Sequence, residues 1–403
     1  MPSVCFYFQV HQPERVKKYR VFDIGHDPHY FNDESDTSLN NRKVIRKVAE
    51  KCYLPTNNVM LELLLRHPEF KVSYSLSGVL LDQLERSAPD VLASFQTLAQ
   101  TGRVEFLAET YYHTLAYLYS PAEFRRQVRQ HRRKIIDLFG QDPAVFRHTE
   151  LVYNNDLARE VAALDFRGVL AEGADHILGW RSPNFVYQPP GTKIKLLLKN
   201  YRLSDDVAFR FSSRDWSDWP LTAPKFASWI SALNGDGQVV NLFMDYETFG
   251  EHQWADTGIF NFLRALPSEV LKHPDNDFVT VSEAMSRYEP VGELDAPHFY
   301  SWADTERDLS AWLSNPMQQA AAERLYALEE AVLRTKDQPL LESWRRLGSS
   351  DHLYYMCTKW WRDGDVHKYF SPYESPYEAF ISYMNVMNDL ELRVSNKLET
   401  EHV

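Results

Sequence analysis

Cysteine is scarce: the chain of 403 residues holds only three, Cys5, Cys52 and Cys357. Their spacing forms no CxxC pair and no zinc knuckle, and an odd number is a poor disulfide framework, so a reducing cytoplasm is expected. Positive charge is also in short supply. The net charge of −12 argues against a duplex nucleic-acid binder, whose footprint is a basic face, and suits a neutral substrate better. Long apolar runs are missing too. None approaches the ~20 residues that span a bilayer, so no membrane association is expected. The first ten residues show no basic segment followed by an apolar run and a small-residue cleavage site, so no signal peptide is expected.

What is present is an ordinary globular balance, 44% apolar and 25% charged, on a chain long enough for one large α/β barrel with an appended domain. Aromatic residues stand out, with 10 Trp, 22 Tyr and 23 Phe making 14%. Core packing accounts for many of them. As a set they modestly favour a flat ligand such as a sugar ring, whose hydroxyls the polar aromatic tips can bond.

Val4 to Val10 is apolar and β-prone throughout and predicts a buried strand. Further strands are expected at Phe70 to Leu76, Val104 to Ala108, Val145 to Thr149, Gly168 to Ala171, Lys193 to Leu203, Val239 to Asp245 and Phe278 to Val281. Between them the apolar spacing predicts helices, among them Asn40 to Arg66 interrupted at Pro55, Val79 to Ala99, Pro121 to Phe139 and Asn155 to Leu164. The segment Val16 to Thr37 has no clean period and is expected to be a covering loop. Alternating strand and helix implies a parallel sheet with helical crossovers, with about seven parallel strands in a barrel or a doubly wound sheet. Past residue 285 the pattern becomes helical. The expected division is a catalytic barrel over 1–285 and a helical region over 286–403 that contributes to the substrate cleft.

In parallel α/β folds the functional residues gather at the C-terminal ends of the strands. Those positions hold His11 and Gln12; Glu109, Tyr112 and His113; His148, Thr149 and Glu150; and Asp245, Glu247, Glu251 and His252. Two carboxyl groups flanking a bond are the equipment of a glycosidase, one protonating the leaving oxygen and the other attacking the anomeric carbon or activating water. A lone acid at a strand end is as readily a helix cap or an ion pair. The density of acids, His and aromatics in FRHTELVYNN and LFMDYETFGEHQW exceeds what a single ion pair requires and singles out Glu150 and Asp245.

At these residues the sequence resembles glycoside hydrolase family 57, the α-amylase and 4-α-glucanotransferase family. HQP at 11–13, VEFLAETYYHTLA from Val104, FRHTELVYNN from Phe146, MDYETFGEHQ from Met244 and GSSDHLYYM from Gly348 follow the order of that family's five motifs. FYSWADTERDLSAWLSNPMQ from Phe299 resembles its shorter, α-amylase-like branch. The resemblance implies an incomplete (β/α)7 barrel with a C-terminal helical region. It also implies a retaining enzyme on α-1,4-glucan, with Glu150 as nucleophile and Asp245 as general acid/base. Hydrolysis is favoured over glucanotransfer or branching. No cofactor or metal is expected. Asp245 is expected to hold its proton near neutral pH. His11, His148 and His352 are then expected to bond sugar hydroxyls, with Gln12, Glu109, Glu247, His252 and Asp351 also contacting substrate. Tyr112, Trp254, Trp302 and Trp360 are expected to stack on sugar rings. Glu109-Thr110, where many members carry Gly-Phe, and Asp351-His352 depart from the common motifs and bear on substrate preference. Two other readings are a metal-dependent polysaccharide deacetylase or α-mannosidase on a similar barrel, and a non-enzymatic glucan-binding protein. The first strand ends in His-Gln-Pro without the metal-binding Asp of the former, and both carboxylates are retained, which counts against the latter.

Overall fold

A computed structural model describes residues 2–36, 38–359 and 366–400. The chain forms two compact units. The first comprises His11 and the residues before it, 46–109 and 128–302; the second comprises 12–45, 110–127 and the chain from 303 onward.

The first unit is built on seven parallel strands: β1 (Ser3–Val10), β2 (Val72–Leu76), β3 (Val104–Phe106), β4 (Val145–Arg147), β5 (Gly168–Glu172), β6 (Lys195–Lys199) and β7 (Val239–Asp245). One sheet runs β3-β2-β1-β7 and the other β4-β5-β6. β1 and β2 are buried along their whole length, which is why they read as continuous apolar runs rather than as alternation. The sheets meet at two seams. At one, Ala108 N–H donates to Val145 O at 3.0 Å and Arg147 N–H to Ala108 O at 2.8 Å. At the other, Asn200 N–H donates to Asn241 O at 2.9 Å. The strands thus succeed one another round an incomplete (β/α)7 barrel, laddered except at these seams.

Inside the barrel Tyr7, Leu107, Val145, Leu170, Leu197 and Phe243 share one apolar core. A strand returns to the same face every second residue, so the next inward positions are Gln9, Glu109, Arg147, Glu172, Lys199 and Asp245. The apolar layer therefore carries a polar layer at the C-terminal ends of the strands. From β4 to β7 the charges in it alternate in sign.

Several elements differ from the sequence expectation for identifiable reasons. The helix expected over 79–99 is two, Gly78–Ser87 and Pro89–Gln100, with Ala88 between them at φ −149° and ψ 57°. Pro89 disfavours the helical conformation in the residue before it. Pro55 does not interrupt the helical run Asn41–Arg66; instead a π-turn at Ala49–Tyr53 absorbs it, with Leu54 N–H donating to Ala49 O. The wider turn accommodates a residue that lacks an N–H and would collide with the carbonyl four residues back. Val145 to Thr149 stops as a strand at Arg147, and Thr149–Leu151 forms a tight turn. Phe278 makes one parallel bridge to Val4 rather than opening a strand. Thr280 and Glu283 then form a reciprocal capping box that commits Val281–Arg287 to helix.

In the second unit the helices include Pro316–Ala327, Gln338–Leu347, Ser350–Tyr354 and Pro376–Thr400. Arg345 grips the buried Glu123 carboxylate with two bonds, at 2.7 and 3.2 Å. Asp389, also buried, accepts from Gly25 N–H at 2.5 Å and Tyr30 OH at 2.6 Å. These bonds tie the N-terminal loop to the last helix.

A buried pair in this unit makes stability depend on pH. Burial pushes the His367 imidazole down, but its hydrogen bond to Asp304 at 3.1 Å, the Cys357 sulfur at 3.9 Å and the Asp304 charge together outweigh that, and the pKa is pushed up to about 9. A raised histidine pKa contributes stability that is complete below the unfolded value, about 6.5, and fades as pH rises through the folded value. The unfolding free energy of this unit is expected to fall by on the order of 2 kcal/mol between pH 6.5 and 10 through this pair. His367→Gln should flatten that slope in a denaturant titration at several pH values; an unchanged slope would discard the assignment.

Candidate active site

Glu150 leaves β4 inside the tight turn Thr149–Leu151 with φ 58° and ψ 23°. A non-glycine residue in this left-handed region costs about 1–2 kcal/mol, and such conformations cluster where function requires them. The surroundings hold it there. Trp302 Nε1–H donates to Glu150 Oε2 at 2.9 Å. Tyr153 and Tyr300 pair as a short antiparallel bridge, and Asn155 N–H donates to Ala296 O at 2.9 Å. The segment that carries Trp302 is thereby pinned along the chain that follows Glu150.

Asp245 closes β7, in register with Gln9 on β1. The loop after it rests on the π-turn. Cys52 S–H donates to Tyr246 O at 3.3 Å, Thr56 OH donates to Phe249 O at 3.1 Å, and Tyr53 OH donates to Glu247 Oε1. Glu247 is therefore a buried brace beside Asp245. Burial pushes the His252 imidazole down to about 4 against the pull of the Glu251 carboxylate, so it is neutral at pH 7.

On the β1–β3 side, Gln9 Nε2–H donates to Glu109 Oε1 at 3.1 Å, while Gln9 Oε1 accepts from Tyr7 OH and Ser75 OH, both at 2.8 Å. His11 Nδ1 lies 2.6 Å from Ser77 Oγ. Glu109 N–H donates to His131 Nδ1 at 3.3 Å, and His131 Nε2 lies 2.7 Å from Leu76 O. Desolvation pushes the His131 pKa down, so this imidazole is a neutral strut under Glu109.

The mouth of the barrel thus gathers carboxyl groups with different access. Glu109 and Glu172 are 0% exposed and Glu247 5%. Glu150 and Asp245 are each only partly covered.

The model of the glycosyl hydrolase family 57 sequences matches residues 5–297, the stretch that builds this barrel and its strand ends. The chain belongs to glycosyl hydrolase family 57. A Methanocaldococcus jannaschii protein provisionally named an alpha-amylase is 44% identical over 406 residues, 98% of this chain and 85% of that one. The Alpha-amylase 1 of Dictyoglomus thermophilum is 23% identical over 288 residues, 69% of this chain, and the match spans 40% of that longer protein. The crystal structure of a family 57 branching enzyme from Thermococcus kodakaraensis aligns with a TM-score of 0.67 at 13% identity, over 92% of this chain and 88% of that one. At that identity the last is a likeness of fold.

Among the other sequence-predicted residues of this family 57 chain, His148 is fully buried. Trp254 is 58% exposed with Lys51 over its ring at 5.1 Å. Gln12, Tyr112, Asp351 and His352 belong to the second unit. There Gln12 accepts from Arg15 at 2.9 Å, Tyr112 lies against Tyr111 with ring centres 4.9 Å apart, Asp351 accepts from Ser349 OH at 2.7 Å, and His352 Nε2 lies 3.2 Å from Arg346 O. Trp360 lies outside the described residues. Among the described residues no group of three or more His, Cys, Asp or Glu side chains is arranged to hold a metal ion, and no helix is long and apolar enough to cross a membrane.

Four residues of the polar layer were not singled out in the sequence: Gln9, Arg147, Glu172 and Lys199. Lys199 Nζ lies 3.0 Å from Asp205 and 3.5 Å from Glu172. The signal that could have found them is a polar residue closing an otherwise apolar strand, applied to every strand.

Proposed function

We propose that this protein cleaves α-1,4-glucosidic bonds of starch, glycogen or maltooligosaccharides with retention, as an α-amylase-like hydrolase. The observation that carries the reading is access. Of six carboxyl groups at the strand ends, Glu109, Glu172 and Glu247 are buried, Glu251 is partly exposed but paired with Lys47 at 2.6 Å, and Glu150 and Asp245 are the partly exposed acids that remain. Glu150 as carboxylate attacks the anomeric carbon while Asp245 gives its proton to the departing glycosidic oxygen. The glucosyl ester so formed has the β configuration. Water then loses a proton to Asp245 as its oxygen attacks the same carbon, and Glu150 leaves, which restores the α configuration. Hydrolysis is supported by the alpha-amylase names of the two relatives. The aromatic and histidine side chains at these strand ends would supply sugar contacts.

Incubation with maltoheptaose tests the reading through its products. Chains shorter than seven glucoses, with α-anomers released first, are expected. Longer chains would replace hydrolysis by 4-α-glucanotransfer, and new α-1,6 linkages by branching, on the same carboxylates. No turnover of any α-glucan would remove the assignment.

A further inference from the structure

Trp302 carries three contacts at once. Its indole Nε1–H donates to Glu150 Oε2 at 2.9 Å, the Arg147 guanidinium carbon lies 4.9 Å from its ring centre, and Lys199 Nζ lies 5.4 Å from it. Its polar edge is committed to the carboxylate and its π system to two cations. Arg147 is more unusual still. It is fully buried, and its Nε, Nη1 and Nη2 have no hydrogen-bond partner among the described residues. A buried cation without acceptors is a large desolvation cost. Its compensation here is the indole face and the negative field of the strand ends. Lys199 differs, since Asp205 and Glu172 share its charge.

Seen from Glu150, the charged groups of the neighbouring strand ends are Glu109 past β3, Arg147 on β4, Glu172 on β5, Lys199 on β6 and Asp245 on β7, with His148 two residues before Glu150 in the chain. The acids outnumber the cations. Crowding of like charge would drive the Glu150 carboxylate toward its protonated form. A donor from a ring polarised by overlying cations opposes that, because a cation at the π face draws density from the ring and strengthens the N–H as a donor.

We propose that Trp302, backed by Arg147, is a positioning residue of this active site: the indole N–H fixes the Glu150 carboxylate in one pose and favours its ionised form. Arg147 acts through the ring, without touching the substrate. The kinetic consequence rests on Glu150 being the nucleophile; the effect on its ionisation does not.

Glutamate labelled with 13C at the carboxyl, in the whole chain, tests the ionisation. The Glu150 resonance is identified by its loss in Glu150→Gln. Trp302→Phe keeps a ring for Arg147 and removes the N–H; Arg147→Met removes the charge at similar length. Trp302→Phe is expected to raise the Glu150 midpoint by about one pH unit or more, the size of a lost hydrogen bond to a charged group, and Arg147→Met, which keeps the N–H, to raise it by less. Trp302→Phe should also lower kcat on maltoheptaose by at least about tenfold with KM within about threefold, and move the acidic limb of the kcat profile upward by the same shift. A lost stacking platform would raise KM instead. If neither variant folds, the unmodified protein still decides. Its ten tryptophans give ten indole N–H signals, and one should titrate with the Glu150 midpoint and move most in Glu150→Gln. An unshifted midpoint in Trp302→Phe, or indole signals indifferent to Glu150, would overturn the proposal. Activity surviving in Glu150→Gln alongside a shifted midpoint would remove the nucleophile reading and leave the positioning contact standing.

Discussion

Replacing Glu150 by Gln is expected to lower kcat on maltoheptaose by on the order of 10^4-fold, and Asp245→Asn should do nearly the same on unactivated chains. The two losses differ in kind. With α-maltosyl fluoride, whose leaving group needs no proton, Asp245→Ala should still form the glycosyl-enzyme, and added azide should capture it from the α face. Glu150→Gly opens the opposite face, and azide should take the place of the missing carboxylate to give the β-azide. The anomer of the product therefore assigns nucleophile and acid separately. Glycine at 150 also relieves the left-handed strain, about 1 kcal/mol, while it loses the bond from Trp302, so the two effects oppose each other and the melting temperature should hardly move. A catalytic loss of this size with an unchanged fold is the signature expected of a strained residue retained for chemistry. The same azide anomer from both variants would defeat the assignment of roles.

That Glu150 and Asp245 could be placed at the barrel mouth from the sequence follows from how a parallel barrel is written. Its strands are buried on both faces, so they read as apolar runs, and whatever closes each run sits at the mouth. The same logic reached Glu109 and Glu247 but could not separate access from brace. Glu247 is buried because Tyr53, more than 190 positions away in the chain, donates to it, and that meeting depends on a π-turn that no local pattern announces. Arg147 was passed over for a related reason. A basic residue ending a strand reads as solvent-facing, and only the fold reveals that it lies over an indole with no acceptor. Ala88 and Thr280 are the reverse case, since a proline rule and a capping box predict both outcomes locally, and apolar periodicity obscured them. The interleaving of 12–45 and 110–127 with the C-terminal helices is a long-range matter, and a change of pattern along the chain marks only one boundary.

The loop that begins at Asp245 should be the most sterically intolerant part of the site, and Gly250→Ala is the substitution expected to expose this. Gly250 has φ +111°, and a Cβ there would fall 2.0 Å from Lys51 O and 2.9 Å from Lys51 C. The obstacle is backbone of the π-turn, which cannot swing aside as a side chain would. To admit a methyl group the loop must lift, and lifting it pulls on the bonds from Cys52, Tyr53 and Thr56 that hold Tyr246, Glu247 and Phe249. Backbone strain at positive φ and overpacking together should destabilise the barrel unit by roughly 3–5 kcal/mol, and activity should be lost even below the new unfolding midpoint, because Asp245 is displaced. Gly235→Ala separates the two causes. Gly235 has a similar φ of +92° with nothing within 4 Å of a Cβ, so it carries the backbone term alone, about 1 kcal/mol, and should leave kcat unchanged. Denaturant unfolding of both variants beside the parent gives the comparison. Equal destabilisation would mean that positive φ alone governs Gly250, and the π-turn would lose its role as the support beneath the Asp245 loop.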